Sequence, residues 1–122
     1  MINNTLKVNY SGWIKKQLEI QANGLFGSLD KVWNDIKDSK WIGGNSEGWE
    51  RFPYYLNGLI PLAYALNDKQ LIDKANKYID SLITSQKANG SIVPKNDTDP
   101  ASNDIWPLFL ILKVLSIYGE LS

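Results

Sequence analysis

Residues 53–86 read PYYLNGLIPLAYALNDKQLIDKANKYIDSLITSQ. The segment is two helices with a short junction. Its first half, 53–66, is apolar almost throughout, and Pro53 suits a first helical turn, where a missing N–H costs nothing. Pro61 predicts a kink, or a free carbonyl at Asn57. The second half, 69–86, is amphipathic. Leu71, Ile72, Ala75, Tyr78, Ile79, Leu82 and Ile83 follow the 3,4 spacing of one helical face, and Lys69, Asp73, Lys74, Lys77 and Asp80 cover the other. Asn67-Asp68 separates the two, with Asp68 placed to cap the second. An apolar helix followed at once by an amphipathic one is an inner helix followed by an outer one.

Downstream, the polar stretch KANGSIVPKNDTDPASND (87–104) leads to a helix at 107–119, PLFLILKVLSIYG, in which only Lys113 and Ser116 are polar. A helix of that composition is expected to be buried on all sides. Inner, outer, inner is the pattern of an all-α protein, an α/α barrel or layered helical array. In such an array inner helices run parallel, so their N-termini share one rim. Four or five helices cannot surround two inner ones. The expected partner is therefore the remainder of a barrel or a homo-oligomer mate, since soluble monomers rarely leave several hundred Å² of apolar surface open.

Upstream, 12–26 (GWIKKQLEIQANGLF) reads as a first helix with Ile14, Leu18 and Leu25 near one face. Residues 28–42 give a short helix through Leu29, Val32, Trp33 and Ile36, then a loop through Gly44. Trp13, Trp33 and Trp41 are expected in the core.

Both inner N-termini carry tryptophan, carboxylates and proline: Trp49-Glu50-Arg51-Phe52-Pro53 and Asn103-Asp104-Ile105-Trp106-Pro107. The first ends a loop rich in glycine, GGNSEGWERFPYY (43–55), which holds the chain's only arginine. An indole face suits the C–H side of a sugar ring, and carboxylates and amides suit its hydroxyls. Helix starts add unpaired N–H donors. The candidate substrate-binding residues are Glu47, Trp49, Glu50, Asn103, Asp104 and Trp106. A structural role competes with this, because acidic residues favour helix starts and Asp104 is placed as a cap. Glycosidases typically need two carboxyl groups, and Glu47 or Glu50 with Asp104 on the same rim is the candidate pair.

Composition closes other routes. Thirteen basic and 13 acidic residues give no net charge, which argues against nucleic acid and against a membrane surface as partners. With no cysteine and no histidine, these residues hold no thiol or Ser–His chemistry and none of the usual zinc sites. Asn96–Asp104 (NDTDPASND) lacks the glycine and closing glutamate of an EF-hand loop and reads as a solvated turn. No apolar run follows Met1, and no stretch of about 18 apolar residues exists, so the expected location is cytoplasmic.

The runs GWIKKQLEIQANGLFGSLDKVW, WIGGNSEGWERFPYYLNGLIPLAYALNDKQLIDKANKYIDSLITSQKANGSIVP and NDIWPLFLILKVL together resemble the N-terminal part of the β-L-arabinofuranosidase-like glycoside hydrolases, family 127 and its relatives. The resemblance spans about residues 12–118. It implies part of an (α/α)₆ barrel and an exo-acting enzyme that removes L-arabinofuranose or a related sugar with retention. The family's zinc-bound cysteine nucleophile and glutamate acid/base lie beyond the resembling segment. It therefore implies no catalytic residue and no cofactor in this chain, with zinc expected only in a full-length relative. A segment of this kind is expected to be inactive alone.

Overall fold

The computed structural model describes residues 8–95 and 104–122. Helices α1 (Gly12–Asn23), α2 (Leu29–Val32), α3 (Asn34–Lys37), α4 (Arg51–Leu66), α5 (Lys69–Thr84) and α6 (Ile105–Leu121) are joined by 3₁₀ turns at Phe26–Ser28 and Lys40–Ile42. Among the described residues the only extended pairing is an isolated bridge between Ser39 and Ser46, so the chain is all-α.

Helix α4 is the centre. Phe52, Leu56, Leu59, Ile60 and Ala63 are completely buried along it, and α1, α3, α5 and α6 all pack against it. It begins at Arg51, which leaves Pro53 within the first turn, and it continues through Pro61 to Leu66. The proline removes the amide that would have bonded the Asn57 carbonyl. Asn57 also carries a buried side-chain oxygen, Oδ1, with no hydrogen-bond partner among the described residues. The helix stops at Asn67, whose backbone is left-handed (φ 50°) and whose N–H donates to the Ala63 and Tyr64 carbonyls. The next residue starts α5. The Asp68 carboxylate accepts from the N–H groups of Gln70 (3.0 Å) and Leu71 (3.1 Å), as the capping role requires.

Helix α5 buries Leu71, Ala75, Ile79 and Leu82, while Ile83 turns outward near its end. It runs back along α4, and α6 then lies parallel to α4. The N-terminal ends of α4 and α6 are tied by side-chain hydrogen bonds described below. Near their C-terminal ends, burial and then the neighbouring Tyr118 push the Tyr64 phenol up.

Four expectations are corrected here. Helix α6 is not buried on all sides: Pro107, Ile111 and Val114 are buried, whereas Ile105, Phe109 and Leu112 face solvent. It has α4 on one side, and no helix among the described residues covers the other. Trp13 is 76% exposed and Trp33 is 39% exposed, so only Trp41 of the three tryptophans lies in the core. Helix α1 buries only Ala22, near its end, and its first turn buries no side chain among the described residues. The single helix expected within 28–42 is broken into α2 and α3 at Trp33, which is extended (φ −106°, ψ 117°). The first helix likewise ends at Asn23, and of the residues expected beyond it only Phe26 enters the 3₁₀ turn. Gly27 in that turn has no substitute, since a Cβ there would sit 1.7 Å from the Ala22 carbonyl oxygen.

A polar cluster ties α2 to α4 and α5. The Lys74 ammonium donates to Asp30 Oδ1 (2.6 Å) and to the Gly27 carbonyl (2.8 Å). The Tyr55 hydroxyl donates weakly to the same carboxylate oxygen (3.5 Å). Burial first, and then the Asp30 charge, push the phenols of Tyr55 and Tyr78 up, Tyr78 to about 12. The unfolded phenol ionises near 10, so the folded state holds the proton longer. That contribution to stability is complete below pH 10 and is lost as pH rises through the folded value. The urea midpoint is therefore expected to be flat up to about pH 9 and to fall between about pH 10 and 12, with a shallower fall in Tyr78→Phe. A midpoint equally pH-dependent in the variant would contradict this role for Tyr78.

Candidate functional site at the start of α4 and α6

The loop between the Lys40–Ile42 turn and α4 is held from below. Ser39, fully buried, accepts from the Trp41 backbone N–H (3.3 Å) and donates from Oγ to the Glu47 carbonyl (3.1 Å). The Trp41 ring is also fully buried, and its indole N–H donates to the Trp49 carbonyl (2.9 Å). Asp38 accepts from Ser46 N–H through its carbonyl (2.8 Å) and from Asn45 N–H through its carboxylate (3.2 Å). The chain reverses at Gly43, whose φ of 90° favours glycine. The backbone of residues 47 to 49 is thereby pinned to a buried serine and a buried tryptophan.

On that support the side chains are arranged as follows. The two Glu47 oxygens accept from the N–H groups of Glu50 (3.0 Å) and Arg51 (3.3 Å), satisfying donors that α4 leaves open. Trp49 Nε1–H donates to Asp104 Oδ2 (2.8 Å), and Trp106 Nε1–H donates to Glu50 Oε2 (2.7 Å). Asp104 also caps α6, with Oδ1 accepting from Trp106 N–H (2.9 Å). Each helix start thus gives one indole donor to the other and takes one in return. Of the six residues proposed from the sequence, Trp49, Glu50, Asp104 and Trp106 meet in this crossed arrangement. Glu47 sits beside them on the backbone, and Asn103 lies outside the described residues.

Both indoles remain about half exposed, Trp49 at 46% and Trp106 at 47%. Their N–H donors are occupied by carboxylates, so the rings are fixed in orientation while about half of each residue stays open to solvent. Glu50 Oε1 keeps its capacity to accept. The Arg51 guanidinium is directed away from this group. It pairs with Asp35 of α3 and lies over the Trp33 ring, 5.6 Å from its centroid. Arg51 braces the start of α4 and leaves the rim's carboxylates without a guanidinium partner.

Sequence reasoning did not find Ser39, Asp35 or Asp38. Their roles depend on which backbone groups the fold brings to them, and no local spacing reports that. Two of the concavities among the described residues lie elsewhere. One of about 250 Å³, mostly apolar, lies between α1 and α4 and includes Leu18, Phe26 and Pro61. One of about 230 Å³, more polar, lies at the start of α5 and includes Lys31, Asp68 and Lys74.

Among the described residues no group of three or more acidic side chains converges as a metal site. The stretch Asn96–Asp104, compared above with an EF-hand loop, lies outside those residues except for Asp104. No helix among the described residues is long and apolar enough to cross a membrane. The chain matches no family model, no curated protein and no solved structure.

Proposed function

We propose that the rim formed by the starts of α4 and α6 binds a carbohydrate, as the sugar-facing part of an arabinofuranosidase-like glycoside hydrolase domain. The observation that carries this reading is the crossed pairing of Trp49 with Asp104 and Trp106 with Glu50. It holds two half-exposed indoles beside carboxylate acceptors, the combination that a neutral sugar ring with several hydroxyls requires. The site binds rather than hydrolyses. Glu47 spends both oxygens on backbone N–H groups, and Glu50 and Asp104 each hold an indole donor, so no carboxyl pair stands clear to act as acid and nucleophile.

Titration of the isotope-labelled chain with methyl L-arabinofuranoside is expected to move the indole N–H signals of Trp49 and Trp106 and to leave that of buried Trp41 in place. Trp106→Ala is expected to weaken binding at least tenfold, a loss of about 1.4 kcal/mol, with helical circular dichroism retained. If neither that glycoside nor a panel of neutral pentosides and hexosides moves either signal, the sugar reading fails. Turnover of an aryl arabinofuranoside by the chain alone would overturn the non-catalytic part.

A further inference from the structure

The exposed face of α6 is a seam. Ile105, Phe109, Leu112, Ser116 and Gly119 all face solvent and follow each other at spacings of four, three, four and three residues. That is the repeat by which one helix meets another along a single narrow stripe. Ile105, Phe109 and Leu112 are 64%, 63% and 62% exposed. Together they leave roughly 400 Å² of apolar surface open, the size at which a patch on a monomer usually has a use.

The seam tapers. Its first half carries three large apolar side chains and its second half carries serine and glycine. Gly119 lies inside α6 with nothing in the monomer to crowd it: a Cβ there would meet no atom within 4 Å. Its small size is not required by the fold, but it would admit the bulky end of another helix. The stripe itself holds no charge, and Lys113 stands at its edge.

We propose that a second copy of this chain covers the seam, with the two α6 helices antiparallel about a two-fold axis near Leu112. Ile105 and Phe109 of each copy then lie over Gly119 and Ser116 of the other, large against small at both ends. A parallel pair would stack phenylalanine on phenylalanine and leave a gap at the glycine. Counted on both copies, with the flanking Leu108 and Leu115, the contact reaches the roughly 1,000 Å² that separates specific interfaces from incidental ones. The two Lys113 side chains approach each other beside the axis, so added salt tightens the pair by screening them. The arrangement does not depend on which sugar the rim binds, but it competes with a full barrel, in which the next inner helix would cover this same face of α6. It leaves the two rims at opposite ends of the paired helices, roughly 20–25 Å apart at 1.5 Å per residue.

Sedimentation of the chain at 10–200 µM, in about 0.1 M and about 1 M salt, tests the proposal. A dimer that is tighter at high salt is expected. Leu112→Glu, at an exposed position, is expected to weaken it at least tenfold with unchanged circular dichroism, and Gly119→Leu is expected to do the same. Because the chain has no cysteine, cross-linking can report the geometry. Leu112→Cys is expected to oxidise readily to a linked dimer, and Phe109→Cys to link to Ser116→Cys faster than to itself. A monomer throughout the range overturns the proposal. So does a dimer that persists in Leu112→Glu, or one in which Phe109→Cys links first to itself or to Trp13→Cys.

Discussion

Replacing Trp41 with alanine is expected to lower the free energy of unfolding by about 3–5 kcal/mol, the usual range for a fully buried aromatic side chain. The ring is completely buried, and its N–H is the donor that satisfies the Trp49 carbonyl. Alanine removes the packing, opens a cavity and orphans that carbonyl together. For a domain of ordinary stability, about 5–15 kcal/mol, this is a large share of the total. Trp41→Phe separates the contributions, since it keeps most of the apolar volume and loses the hydrogen bond; a cost of about 1–2 kcal/mol is expected. Urea unfolding followed by circular dichroism gives both numbers. The indole signal of Trp49 should also shift in either variant, because the backbone that aims its ring has lost its anchor. A cost below about 1 kcal/mol for the alanine variant would mean that the rim loop is held by something other than this tryptophan.

The second large effect is expected at Lys74. Its side chain and that of Asp30 are only 19% and 15% exposed, and its ammonium serves Asp30 and the Gly27 carbonyl at once. Lys74→Met leaves a mostly buried carboxylate beside two phenols with its cationic partner gone. Breaking one side of such a pair is expected to cost about 3 kcal/mol, reduced somewhat by the remaining exposure. Removing both charges, in Lys74→Met with Asp30→Leu, is expected to recover at least half of that loss, because no unpaired charge remains. The double-mutant cycle decides the matter. If the two single costs simply add to the double, the pair contributes no coupling, and packing alone joins α2 to α5.

The parts of the fold legible in the sequence were those set by local chemistry. The boundary between α4 and α5 could be read because Asn67 tolerates a left-handed backbone and Asp68 caps, and both act within a few residues. The amphipathic face of α5 was read from its period, except at Ile83, where the helix ends before its face meets a neighbour. The failures share one cause. A helix apolar on every face, such as α6, reports that it can be buried but not which side is covered. Trp13 and Trp33 carry the same composition signal as Trp41, but whether an indole is buried depends on which helix reaches it. At the rim the residue types stand in the sequence, and parallel helices place their starts together. The crossing of donors and acceptors leaves no local trace, because each partner lies 55 or 56 positions away.

That separation also bears on how the molecule assembles. Helices α4 and α5 meet across a junction at Asn67 and Asp68 and can pair from near neighbours in the chain. Helix α6 reaches α4 only after a far larger loop closes, at a greater entropic cost. The rim does not exist in any partly folded species that lacks a docked α6. Whatever binds there recognises the finished chain alone. Its binding energy then goes wholly to the native state and raises apparent stability with ligand concentration.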